Sequence, residues 1–286
     1  MEIRCKKIID DHVQRKVVAA EMKNEVLVWV EAVHEHDAKN ELQQLYKIQH
    51  VEKGQLVSLE CALPISPDFI VSLDSSFLLV QSRCGHNHRV MEHNALIINR
   101  KGETVKTFSV GDGITGLVVN CQGLIWCTYA DEGIFGVDDS VIPIGREGVA
   151  VFTLEGVQVV NPLDLQLIDT YSLTLGVEEE IFIFGEDTSC RKKLFQIRDE
   201  RLIASCPVTC KDVEPEQLSY QEGFFIGAEG AQLYRLELKK GALHVQDSVT
   251  CVDEEGSLLT GLTVIGTNEI GLFNDDGRIF IGEWGR

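Results

Sequence analysis

The chain has 286 residues, 44% of them hydrophobic, enough for one large all-β domain with a sizeable core over residues 1–286. Its 26 basic residues face 45 acidic ones, a net charge of −19 that repels phosphate and argues against nucleic acid or anionic membrane as partners. No stretch approaches the ~18 consecutive apolar residues of a membrane helix, and the opening MEIRCKKIIDDH has no apolar run of signal-peptide length, so the nine cysteines read as free thiols in a reducing, cytoplasmic setting.

In chain order the elements repeat. Residues 1–9 read as a strand without a neighbouring partner. A strand pair follows at 17–32, then a hairpin at 45–61. The segment 37–49 contains good helix formers, but LYKIQHVEKGQLVSLE aligns with the other hairpins and predicts strands. The same unit returns as pair and hairpin at 69–83 and 94–110, at 114–130 and 149–160, at 168–186 and 193–208, and at 217–227 and 231–249. The last unit has a pair at 258–273 and a single strand at 278–285. Texts such as EVLVWVEA, GLIWCTY and EIFIFGE are rich in β-branched and aromatic residues. The turns end in glycine where a hairpin needs positive φ, as at Asn99–Gly102 and Lys239–Gly241. Four strands in roughly 40–50 residues is the size of one propeller blade. The chain is therefore expected to be all-β: a six-bladed β-propeller of four-stranded antiparallel blades. The N-terminal strand would complete the last blade, closing the ring and covering two exposed edges.

The loops that follow each strand pair are uneven. Three are long, at 33–41, 84–92 and 131–148, and long loops on a rigid frame concentrate function. Five of the eight histidines fall in or beside the first two: His34, His36, His86, His88 and His93. His34 and His36, like His86 and His88, have H-x-H spacing, which puts both rings on one side of an extended segment. With Cys84 they offer ligands for Zn²⁺, although no spacing matches a strong zinc signature. Exposed H-x-H pairs also occur without a metal role.

A second cluster flanks the third unit. Gly111-Asp112-Gly113-Ile114-Thr115-Gly116 spells G-x-G-x-x-G, but the text that follows reads as strand, turn and strand, where a dinucleotide site needs a helix. The segment is expected to be a tight turn exposing Asp112, with Tyr129, Asp131 and Glu132 leaving the adjacent strand at the same face. Asp112, Asp131 and Glu132 are oxygen ligands that could hold Ca²⁺, or they cap turns and face water. There is no nucleophile elbow, no Walker A loop and no C-x-x-C. Cys206 and Cys210 read as buried thiols, and Trp29, Trp126 and Trp284 as core.

Several segments come in a familiar order: Ser82-Arg83-Cys84, Asn94-Ala95-Leu96-Ile97, Gly111-Asp112-Gly113-Ile114, Gly123-Leu124-Ile125-Trp126, and Tyr129-Ala130-Asp131-Glu132-Gly133-Ile134-Phe135-Gly136. This order resembles a group of uncharacterised bacterial proteins with β-propeller-like (WD40-like, six-bladed) folds. The resemblance covers residues 77–153 and implies a bacterial cytosolic protein, with no activity attached. The histidines of the 84–93 loop are not part of the pattern, whereas Arg83, Asn94, Asp112, Asp131, Glu132 and Phe135 are.

The functional expectation is a binding module for a protein or small ligand. Arg83, Asp112, Asp131 and Glu132 would supply charged contacts, and Trp126, Tyr129, Ile134 and Phe135 apolar anchors, beside Asn94. The alternative is a metal-dependent hydrolase of the lactonase type, in which Ca²⁺ or Zn²⁺ activates water. Only analogy of fold supports that alternative.

Overall fold

The computed structural model describes residues 2–10, 16–23, 26–33, 44–52, 55–87, 90–136, 142–159, 163, 165–209, 213–221, 223–229, 232–266, 269–274 and 276–283. Strand β1 (Glu2–Ile9) opens the chain. One sheet takes β2 (Val17–Lys23), β3 (Val26–Ala32), β4 (Gln44–Glu52) and β5 (Gln55–Leu63) in sequential order. Next come β6 (Phe69–Ser72) and β7 (Ser76–Val80), then a small hairpin of β8 (His86–Asn87) and β9 (Val90–Met91). After it, β10 (Ala95–Asn99) and β11 (Thr104–Phe108) pair back onto β7 and β6.

The third sheet is β12 (Ile114–Val119), β13 (Leu124–Tyr129), β14 (Val149–Thr153) and β15 (Gln158–Val159), with a one-turn helix α1 (Asp131–Phe135) after β13. The fourth is β16 (Leu167–Leu175), β17 (Ile181–Asp187), β18 (Lys192–Arg198) and β19 (Arg201–Pro207). Then come β20 (Gln217–Gln221), β21 (Phe224–Glu229), β22 (Gln232–Lys239) and β23 (Ala242–Val252), followed by β24 (Gly261–Ile265), β25 (Glu269–Asn274) and β26 (Ile279–Glu283). All six predicted strand pairs and all five hairpins form, and Gln44–Glu52 is a strand rather than a helix.

The burial gradient explains why these sequences make these strands. Second strands such as β13 and β17 are buried nearly end to end, because both faces are covered, so their text is continuously apolar. Fourth strands such as β11 and β19 are largely exposed and carry Thr, Lys, Arg and Ser. The hairpin turns share one device. Asn99 accepts the amides of Lys101 and Glu103 on its side chain, and Gly102 closes the turn at φ +83°. Asn120 does the same for Gln122 and Leu124.

The chain clusters into two compact units. The first holds residues 83–92 and 109–250. Its core includes Phe182, Phe184, Phe225 and Leu236, with Phe182 stacked on Tyr220 at 4.8 Å between centroids. The second holds residues 2–82, 93–108 and 251–286. Its cores gather around Val30, Ile48, Phe77 and Ile98, and around Trp29, Leu27 and Phe273. Here β1 pairs antiparallel with β26, with Cys5 opposite Gly282 and Lys7 opposite Phe280, the pairing expected from the unpartnered first strand. On its other side β1 neighbours β23 in the strand order, and Cys5 lies beside Cys251 of the same unit. The set formed by β1 and β24–β26 is therefore not the isolated four-stranded blade anticipated from the sequence.

Candidate functional site

The site is built in the first unit, where β12 begins and β13 ends. The turn before β12 has Gly111 at φ +96° and Gly113 at φ +70°, both left-handed. It lies so close to α1 that a Cβ on Gly133 would sit 2.3 Å from the carbonyl oxygen of Asp112. The Gly113 carbonyl accepts the amide of Ala130 at 2.7 Å. Tyr129 is fully buried, and its hydroxyl donates to the Val110 carbonyl at 2.5 Å. Thr170 donates to the Tyr129 carbonyl at 2.8 Å, and Thr115 bridges Thr170 (2.6 Å) and Thr128 (3.1 Å). A satisfied buried network of this kind holds the strand end and the turn in one arrangement.

On this frame sits Arg83. Its Nε lies 3.4 Å from Asp112 Oδ1 and its Nη1 3.3 Å from Glu132 Oε2, while 54% of its side chain stays exposed. Asp112 Oδ1 also accepts the amide of Cys84 at 2.9 Å. Glu92 accepts the amide of Gly85 at 3.3 Å, and its carbonyl accepts the Ser109 hydroxyl. Phe135, at the end of α1, is 65% exposed. Burial, with Asp112 and Glu92 nearby, pushes the Cys84 thiol up to about 11, so it is a thiol and not a nucleophilic thiolate at neutral pH. Asp169 on β16 is pushed up to about 6, first by burial and then by the charges of Asp131, Glu186 and Glu132. Sequence reasoning missed Asp169, for nothing in LIDTY marks it.

The structure thus brings together Arg83, Asp112 and Glu132, with Asp131 in the same turn of α1. It corrects five expectations. Asp112 is not held out to solvent: its side chain is 18% exposed and engaged by Arg83 and Cys84. Tyr129 is a core residue and cannot be a surface anchor, because its ring fills the space under Gly145 and its hydroxyl is tied to Val110. Trp126 lies on β13 near the turn at the strand's other end, 3% exposed, the core position also considered for it. Ile134 is buried as well. Asn94 belongs to the second unit, where it is buried and its Nδ2 donates to the Gln81 carbonyl at 2.8 Å.

For a metal, His34, His36 and His88 lie outside the described residues, as does the side chain of His86. His93 bonds Thr107 at 3.0 Å. Among the described residues no three His, Cys, Asp or Glu side chains are grouped to hold an ion. Gly111–Gly116 leads into strand β12, not into a helix.

No protein-family model matches the chain, and no curated protein matches it. Solved structures do. The WD40 β-propeller domain of Doa1 aligns with a TM-score of 0.56 at 10% identity, covering 99% of this chain and 98% of that one. The chain shares its fold with β-propeller proteins. BamB from Moraxella catarrhalis aligns at 0.51 and 9% identity, over 94% of this propeller and 85% of that chain. The PQQ-bound aldose sugar dehydrogenase from Streptomyces coelicolor aligns at 0.50 and 14% identity, over 90% and 98%. These likenesses establish the fold of this propeller, which hosts binding modules and enzymes alike.

Proposed function

We propose that this β-propeller is a cytosolic binding module that holds a protein partner against the surface formed by Arg83, Asp131, Glu132 and Phe135. One observation carries the reading: a half-exposed guanidinium is fixed between two carboxylates, one of them on the one-turn helix that ends in the exposed Phe135, on a turn locked by buried hydrogen bonds. A preorganised cation with an adjacent aromatic is the composition of an interface hot spot. The eight described cysteines are all free thiols, which supports a reducing compartment. We also take the six four-stranded sets as six blades in a ring closed by β1, a reading supported by the β1–β26 register. The metal-dependent hydrolase gains no comparable support, since the Asp112 carboxylate is engaged by Arg83 and the Cys84 amide.

The test compares the wild type with Arg83→Glu and Phe135→Ala as bait, with quantified recovery from cell extract. A protein retained by the wild type and lost from both variants supports the reading. Equal recovery by all three baits overturns it.

A further inference from the structure

The first unit carries a second concavity, at the opposite end of β13 from Arg83. It is a groove of about 280 Å³ between the β12–β13, β16–β17 and β18–β19 turns. Its apolar lining comes from Leu124, Trp126, Ile181 and Ile197. Its rim is acidic: Glu178, Glu179, Asp199 and Glu200 are all exposed. Among the described residues Arg198 is the one cation of the lining, and its Nη2 is already given to Glu178 at 3.1 Å and to Glu180. The rim therefore keeps an excess of negative charge.

Among the described residues, two donors along this groove lack acceptors. Trp126 is 3% exposed, and its indole Nε1 has no hydrogen-bond partner. The buried Nε of Arg198 has none either. Buried donors in native folds are nearly always satisfied, so two orphans lining one concavity call for an acceptor supplied from outside. The acidic rim calls for a cation. The volume lies just under the ~300–1,000 Å³ of drug-sized sites, which suits one or two residues of a chain. Glu179, Asp199 and Glu200 moreover stand at φ +60°, +50° and +56°, left-handed positions seldom taken by residues other than glycine.

We infer that this groove docks a lysine- or arginine-bearing peptide segment. The basic side chain meets Glu179 and Glu200, and a backbone carbonyl accepts from Trp126. Electrostatic complementarity with this acidic chain favours such a partner over an acidic one. The site is independent of the Arg83 surface, so the failure of one reading leaves the other standing.

The experiment follows the indole N–H resonances of the ¹⁵N-labelled full chain, with the Trp126 signal assigned by Trp126→Phe. The probe is an acetylated, amidated Gly-Lys-Gly peptide. The Trp126 resonance is expected to shift saturably, with an affinity that falls as salt is raised. The double variant Glu179→Gln/Glu200→Gln, both exposed positions, should bind about fivefold more weakly, the effect of removing two surface charges. Three results would overturn the inference: a Trp126 signal unmoved by the peptide in a folded protein, an equal shift with Gly-Glu-Gly, or unchanged affinity in the double variant.

Discussion

The backbone amide of Cys84 donates to Asp112 Oδ1 at 2.9 Å, and the same oxygen is the one that Arg83 Nε approaches at 3.4 Å. One carboxylate thus fixes both the start of the 84–92 loop and the guanidinium in front of it. The two contacts differ in worth. Arg83 is more than half exposed, so its ion pair adds well under about 1 kcal/mol, whereas the hydrogen bond to a part-buried amide adds about 1 kcal/mol. Asp112→Ala should lower stability by about 1–2 kcal/mol in denaturant unfolding, Asp112→Asn by less, and Arg83→Ala by less than about 0.5 kcal/mol. If Arg83→Ala costs as much as Asp112→Ala, Arg83 is a structural residue and the proposed interface loses its centre.

In the second unit Glu21 accepts the amide of Ser72 at 2.6 Å, and burial pushes its carboxyl up to about 7. The sign follows from linkage. The folded state keeps the proton up to pH 7, while the unfolded chain releases it near the usual carboxylate value. Stability should therefore fall as pH rises from about 4.5 to 7 and level off above. Glu21→Gln keeps an acceptor for Ser72 and removes the titration. The variant should be more stable than wild type at neutral pH, by on the order of 2 kcal/mol, with a flatter pH profile in thermal or urea unfolding. An identical profile for both proteins would refute this.

Asp187 behaves in the opposite sense. Burial pushes its carboxyl up, but Lys193 at 2.5 Å, the Ser189 hydroxyl at 2.5 Å and the amides of Ser189 and Arg191 outweigh it and hold it well below the carboxylate range. Its contribution is present above the unfolded value of about 4 and is lost as pH falls below it. Asp187→Asn should lose stability at pH 7 and show a shallower acid limb. A variant with an unchanged acid limb would remove Asp187 from this role.

Gly133 couples α1 to the turn that carries Asp112. A methyl there would meet the Asp112 carbonyl at 2.3 Å and the Tyr129 side chain at 3.0 Å. Gly133→Ala is expected to cost about 1–3 kcal/mol through overpacking and to shift the amide resonances of Cys84 and Asp112. A neutral substitution would show that the turn and helix are looser than described.

Ile3 is buried on the face of β1 that also carries Cys5. Ile3→Ala should destabilise by about 2–4 kcal/mol. A cost near zero would mean that β1 is dispensable.

The strand pairs and turns were legible because local chemistry specifies them. Apolar runs bounded by Asn-x-x-Gly, as at Asn99–Gly102, allow few other conformations. Which residues of a run reach the surface was not legible. In GLIWCTY every side chain from Ile125 to Tyr129 is buried, so period-2 reasoning had nothing to separate anchors from core. The turn Asp131–Phe135 was not readable as helix, since Gly133 is a poor helix former. Arg83, Asp112 and Glu132 could be grouped from their positions in the repeat, but their ion pairs depend on the close approach of Gly113 to Gly133, a tertiary contact. Asp169 owes its character to neighbours far along the chain.

The partnership of β1 with β26 sets an order of events during synthesis. The segment Glu2–Ile9 leaves the ribosome long before Ile279–Glu283 exists to receive it. Until β26 is made, its amides and carbonyls, together with Ile3 and Cys5, stay without that mate. The clasp between them is made only after the ribosome has read Ile279–Glu283, so a change that slows β1 from pairing would be felt at that step.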